Sequence, residues 1–344
     1  MFRTLSLFCV ATLVAGVSSI SAQSVTTDPV GFITLSVFGA TPGNNPAYTF
    51  LGLGFTQPVN YQAALASAAG TNLTDSSAAF TANQFSGPAG AFYVELTNGT
   101  GAGRTSQITG TPTATTITTA TDLSSFVTSG TTYKIRKNWT LASVFGADPT
   151  AAGASGLAGG SNTTADQVLV FSASGQGYTQ YYYKTSGLGG TGWRSTASTS
   201  IDASSTPFLS TDGVLVARQA SGNLTFALAG AVKLGPTALP VGPGFNLLSN
   251  VYPAGTFTLA TSGLQGSGLT GGTNITADQV LIFNNTTNGY DQYYFKTSGL
   301  GGTGWRSTAS TSTDASNTAI PFGASVFINR TNPGSFTWVA PQPF

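Results

Sequence analysis

An all-β fold follows from three features of this 344-residue chain. Short runs of β-branched and aromatic residues alternate with turns rich in Gly, Asn and Pro. The second half carries no long amphipathic helical pattern. Most tellingly, one passage is written twice: "GYTQYYYKTSGLGGTGWRSTASTSIDAS" (177–204) returns as "GYDQYYFKTSGLGGTGWRSTASTSTDAS" (289–316). The organisation expected is a leader over 1–22, a small barrel-like β domain over 23–137, and two tandem β-sandwich or jelly-roll-like repeats over 138–236 and 237–344.

The leader "MFRTLSLFCVATLVAGVSSISA" places Arg3 before an apolar stretch and ends in small residues, the pattern of a Sec signal peptide. The apolar stretch is too short to span a bilayer, and no later segment has the length and apolarity of a membrane helix. Cleavage removes Cys9, the one cysteine, and leaves eleven basic and eleven acidic residues. A neutral mature chain without thiols is therefore expected outside the cell, in the extracellular space or at the cell surface.

In the next segment, "AFYVELTNGTGAGRTSQITG" and "TTITTATDLSSFVTSGTTYKIRKN" read as a strand meander with Asn98-Gly99 as one turn. "YQAALASAAG" (61–70) is its one helical candidate. Each repeat then opens similarly, "NWTLASVFGADP" (138–149) beside "GFNLLSNVYPAG" (244–255), with a weaker echo in "GFITLSVFGATP" (31–42). "TADQVLVF" and "TADQVLIF" supply a short apolar strand, and the Tyr-rich run supplies its hairpin partner. In a strand, Tyr182 and Lys184 share one face with Gln180, while Tyr183 lies on the other. The copy replaces Tyr183 by Phe295, which points that side into the core and leaves the Tyr182 side outward.

"TDPVGF", "FYVELTNGTGAG", "YKIRKNWTLASVFG", "ADQVLVF", "YYYKT" and "GWR" together resemble the TDPVG-type family of secreted proteins, expanded as paralogues in Verrucomicrobia and their relatives. The repeat opening is also similar to the "GWNLIGNPYP" start of β-sandwich modules in large secreted proteins of Bacteroidetes. These resemblances imply secretion and a β architecture, and they carry no enzymatic activity, cofactor or catalytic residue.

Composition narrows the chemistry further. Charged residues make up 7% of the chain, far below the roughly 25% of ordinary soluble domains. Net charge near zero gives no basis for nucleic-acid binding. The absence of histidine removes Ser-His-Asp and Cys-His nucleophiles and imidazole-held metals together. Glu95 is the one glutamate, and ten scattered aspartates offer a poor carboxylate pair for glycoside hydrolysis. Asp166 with Asp278, and Asp202 with Asp314, suit Asx-turns better than calcium, which needs several carboxylates in one site.

The chain is accordingly expected to be a noncatalytic structural or matrix protein of the cell surface, without cofactor or metal. An open route is self-assembly through the N-terminal strand, inserted at a sheet edge of another copy. The alternative is a glycan-binding or adhesive module that contacts extracellular polysaccharide. Its candidate ligand or partner surface is Tyr182, Lys184, Trp193 and Arg194, with their copies Tyr294, Lys296, Trp305 and Arg306. Against that surface stands packing of the same Tyr face on the neighbouring repeat.

Overall fold

The computed structural model describes residues 28–249, 257–299, 301–320 and 323–342. The expected leader and the "NVYPAG" part of the second repeat's opening lie outside these residues. What is described is nearly all β, with 45% strand and 5% helix. The expected helix at 61–70 is instead strand, over Val59–Ala64 and Ser67–Ala69. Ladder pairing of Val59–Ala64 with Thr132–Lys137 overrides the helical preference of its alanines.

The N-terminal strand Val30–Val37 shows the two-residue period plainly. Ile33, Leu35 and Val37 are buried, while Phe32, Thr34 and Ser36 face out. It pairs along its full length, antiparallel, with Leu224–Ala231, from Val30 opposite Ala231 to Val37 opposite Leu224. The strand expected to seek a sheet edge in another subunit thus finds its partner within its own chain. Ala47–Leu51 then forms the edge of a five-stranded sheet, beside Val214–Arg218, Gln167–Ser172, Gly177–Lys184 and Gly192–Ser195. Between this sheet and the two-stranded ribbon lies one core, in which Ile33, Leu35, Val37 and Leu51 meet Trp139, Phe145, Val168, Trp193, Val216, Phe226 and Leu228.

The second repeat is built the same way. Thr237–Val241 pairs with Phe336–Ala340 as a ribbon. A six-stranded sheet runs Gly244–Ser249, Ser325–Arg330, Gln279–Asn284, Gly289–Lys296, Gly304–Ser307 and Ser310–Asp314. Position in the sheet therefore makes "GFNLLS" the counterpart of Ala47–Leu51 rather than of "NWTLAS". Trp139–Thr140, paired with Pro207–Phe208, matches Phe257–Thr258, paired with Ala319–Ile320.

The boundary expected at 137/138 does not follow this pairing. The first repeat begins with the N-terminal strands, and residues 59–137 interrupt it. That interruption has its own sheets of four and three strands and its own core around Leu73, Phe92, Val94, Ile117, Tyr133 and Ile135. Its first and last strands pair with each other, Val59 opposite Arg136. The two chain ends are thereby held side by side, so the host unit resumes with little disturbance.

The two main sheets stack through the faces turned away from their own cores. Phe50, Leu169, Leu215 and Ala217 of the first meet Leu247, Leu281 and Phe327 of the second. Phe50 lies 4.8 Å from Phe283 and 5.8 Å from Phe327, centroid to centroid. Backbone contacts stitch the edges reciprocally. The Gly52 N–H donates to the Gly323 carbonyl at 2.9 Å, and the Ser249 N–H donates to the Thr211 carbonyl at 2.8 Å. Bridges join Leu51 to Ala324 and Asp212 to Leu248. Since Ala47–Leu51 and Gly244–Ser249 are counterparts, this is an isologous contact of the kind two identical subunits make about a two-fold axis. Gly52 is required there, because a Cβ would stand 2.4 Å from the Ala324 carbonyl oxygen.

Leu35→Ala removes a side chain that is 2% exposed from the shared core and should cost about 3 kcal/mol. Urea denaturation followed by Trp fluorescence checks it; an unchanged midpoint would mean that the N-terminal strand adds nothing to the first repeat.

Candidate functional site

The duplicated stretch comprises a strand, a glycine loop and a second strand. Gly187, Gly189, Gly190 and Gly192 have φ values of 94°, 89°, 72° and 138°; their copies have 94°, 88°, 71° and 140°. Positive φ throughout confines these positions to glycine, and the loop turns its carbonyl groups inward. Lys184 and Arg194 satisfy those carbonyls. The Lys184 ammonium donates to Leu188 O and to Thr199 O. The Arg194 guanidinium donates to Gly189 O at 2.6 Å and to Trp193 O at 2.7 Å, and pairs with Asp202. Arg306 repeats this with Gly301, Trp305 and Asp314, and Lys296 donates to Thr311 O at 3.1 Å.

The outward reading of this stretch is corrected by burial. Tyr182, Trp193 and Arg194 are 2%, 1% and 5% exposed, and Tyr294, Trp305 and Arg306 are 1%, 3% and 5% exposed. Lys184 is buried, and Lys296 is half-buried. Tyr182 stands opposite Gln167 and Arg194 in the ladder, on the face that carries Leu169, Leu215 and Phe50 toward the other repeat. Trp193 and Trp305 plug the two cores, edge-on to Tyr183 and Phe295 at 5.9 and 5.7 Å. Tyr182 and Tyr183 are therefore both buried, on opposite faces of the strand, and Lys184 is held by carbonyls of its own repeat, Leu188 O and Thr199 O. Tyr183 and Phe295 do face their cores; burial raises the Tyr183 hydroxyl, and the nearby Asp148 carboxylate raises it further. The second repeat has no aspartate between Leu264 and Ala277.

Asp166 and Asp278 have no coordination left for calcium. Asp166 accepts from the Ala158, Gln219 and Ala220 N–H groups and pairs with Arg218. Asp278 accepts from the Thr270 and Thr331 N–H groups and pairs with Arg330 at 2.7 Å. Asp202 and Asp314 form the expected Asx-turns, accepting from the Ser204 and Ser316 N–H groups. No group of three or more acids, histidines or cysteines is placed to hold a metal among the described residues.

Two arrangements escaped the sequence reading. The first is a buried ionic cluster where the N-terminal segment, the inserted domain and the connector between repeats meet. Asp28 pairs with Lys134 at 2.7 Å and with Arg136; Glu95 pairs with Arg136 and Lys233. Burial raises the Asp28 carboxyl, but hydrogen bonds and charges from Lys134 and Arg136 outweigh it and hold the group below the usual range. Burial pulls the Lys233 ammonium down to about 7, with Asp28 opposing. Glu95, the one glutamate, is thus a structural anion between two cations.

The second is a cleft of about 330 Å³ at the junction of the inserted domain and both repeats. Among the described residues, Asp212 is the only ionisable one that lines it. Its carboxylate accepts from the Leu209 N–H at 2.8 Å. Burial raises this carboxyl to about 6, against the pull of that hydrogen bond.

Two outcomes follow. Arg218→Leu leaves the Asp166 carboxylate buried without its counter-charge and should cost about 3–5 kcal/mol by chemical denaturation, partly recovered by adding Asp166→Asn; a fully stable single variant would show that the pair is not intact in solution. For Asp212 the folded value lies above an unfolded one of about 3.9, so the native state holds more protons between those limits. Stability should therefore fall as pH rises from about 4 to about 6. Asp212→Asn should flatten that slope in a pH series of denaturation curves.

No family model matches the chain, and no curated protein and no solved structure matches it either.

Proposed function

We propose that the mature chain is a secreted, noncatalytic structural component of the cell surface or extracellular matrix. It is built from two β-sandwich or jelly-roll-like repeats and an inserted, barrel-like β domain. One observation carries the reading: all eleven basic residues beyond the leader make internal ties. Lys134, Arg136, Arg194, Arg218, Lys233, Arg306 and Arg330 form ion pairs. Lys184 and Lys296 hold loop carbonyls. Arg104 lies 3.8 Å over the Phe126 ring, and Lys137 lies 5.7 Å over Phe92.

Cations held this way brace a scaffold and leave little positive charge on the surface. The ribbon of Val30–Val37 and Leu224–Ala231 is an example. Its outer face presents Val30, Phe32, Thr34, Ser36, Thr225, Ala227 and Ala229, without a charge. Val30 is 76% exposed and Phe32 is 73% exposed. An uncharged β surface with protruding apolar groups favours self-association. Contact between copies would then run over the outer face of the N-terminal strand, whose inner face lies on the core and one of whose two edges is paired with Leu224–Ala231. No helix among the described residues is long and apolar enough to cross a membrane.

Light scattering and negative-stain microscopy of the mature protein test the reading. Concentration-dependent assemblies are expected, and Phe32→Lys should disperse them without changing the melting temperature. A wild-type protein that stays monomeric at every concentration, or assemblies indifferent to Phe32→Lys, would remove self-association from the proposal.

A further inference from the structure

The junction cleft has a polar lining that the fold does not use. Asp212 accepts one hydrogen bond, through Oδ2 from Leu209. Among the described residues its Oδ1 takes none, and no cation lines the cleft. The hydroxyls of Thr105 and Thr211 and the side-chain amide of Gln107 also line it and make no side-chain hydrogen bond among the described residues. Phe171 and Leu239 supply apolar wall.

This contrasts with the other desolvated carboxylates. Asp28, Glu95, Asp166 and Asp278 each have a lysine or arginine, and Asp75, which has neither, accepts from the Tyr61 and Tyr133 hydroxyls and from the N–H and hydroxyl of Ser77. Asp212 alone of these is left with a single backbone donor. A desolvated carboxylate lacking a counter-charge is costly, and a charge-assisted hydrogen bond from a bound ammonium group would relieve it. The cleft's size falls at the low end of small-molecule sites, and a junction between domains is where such sites concentrate.

We infer that the junction cleft binds a small, hydroxyl-rich molecule carrying one primary ammonium group, of the size of an amino-sugar monomer. The ammonium group donates to Asp212 Oδ1. Ring hydroxyls exchange hydrogen bonds with Thr105, Thr211 and Gln107, and the ring's C–H face lies on the apolar wall. The inserted domain supplies Thr105 and Gln107, the first repeat Phe171, Thr211 and Asp212, and the second Leu239. The site is complete only in the assembled chain. It does not depend on the scaffold role proposed above.

Isothermal titration of the full mature chain with glucosamine, at about pH 7.5 where Asp212 is ionised, tests the inference, with glucose and N-acetylglucosamine as uncharged comparisons. Glucosamine should bind at least about ten-fold more tightly than either, a difference of roughly 1.4 kcal/mol. Asp212→Asn should abolish that preference, and Thr211→Val should weaken glucosamine about three-fold while leaving the preference for the ammonium intact. Lowering the pH below about 5 should reproduce the Asp212→Asn result in the wild type. Equal binding of glucosamine and glucose, an Asp212→Asn variant with wild-type preference, or no heat with tens of millimolar glucosamine would each overturn it.

Discussion

Back-to-back packing of the two main sheets is the contact on which the rest of this molecule depends. A sheet whose strands read "QVLVFS" and "VLVAR" is apolar on both faces, so one core cannot satisfy it. Each repeat meets that need by giving its second face to the other, with Phe50, Leu169 and Leu215 against Leu247, Leu281 and Phe327. The contact is reciprocal, as at a two-fold axis, and its backbones approach closely enough at Gly52 to exclude a methyl group. A tandem duplication has thereby become an internal pseudo-dimer, whose halves cover surfaces that neither could leave in water.

Charge in this chain acts as bracing. Lys184 and Arg194 bind the carbonyls of a glycine loop whose positive φ angles turn those carbonyls inward. Asp166–Arg218 and Asp278–Arg330 fasten corresponding places in the two repeats. The cluster of Asp28, Glu95, Lys134, Arg136 and Lys233 does the same for the inserted domain, which has a core of its own and must be oriented on its host. Buried ion pairs add little net stability compared with apolar packing, but their geometry is specific. A charge-poor exterior with few cations is the corollary, and Asp212 stands out against this background because it has neither a cationic partner nor the set of hydroxyl donors that Asp75 has.

Some of this was legible residue by residue. The change from Tyr183 to Phe295 identifies a core-facing side, and both residues face their cores. Asp202 and Asp314 make the turns that their Ser neighbours suggest. The opposite side, with Tyr182 and Lys184, reads as surface in the sequence because alternation assigns faces relative to one core only. It carries no sign that a second sheet covers the other face. "NWTLAS" and "GFNLLS" look alike as strings, yet their places in the sheets differ, and pairing rather than resemblance makes "GFNLLS" the partner in kind of Ala47–Leu51.

By itself the sequence determined the all-β character, the duplication, the glycine-dependent loops and the absence of histidine. These follow from local rules: the two-residue period, the φ range open only to glycine, and the inventory of side chains. Tertiary structure alone decided that the N-terminal strand belongs to the first repeat, nearly two hundred residues away in sequence. It alone decided that residues 59–137 are an insertion, that the Tyr and Trp positions are interior, and that Asp212 faces a cleft between three parts of the chain. Each of these turns on which surfaces meet. Contacts between distant segments depend on apolar area and shape summed over whole sheets, and no short stretch encodes that sum.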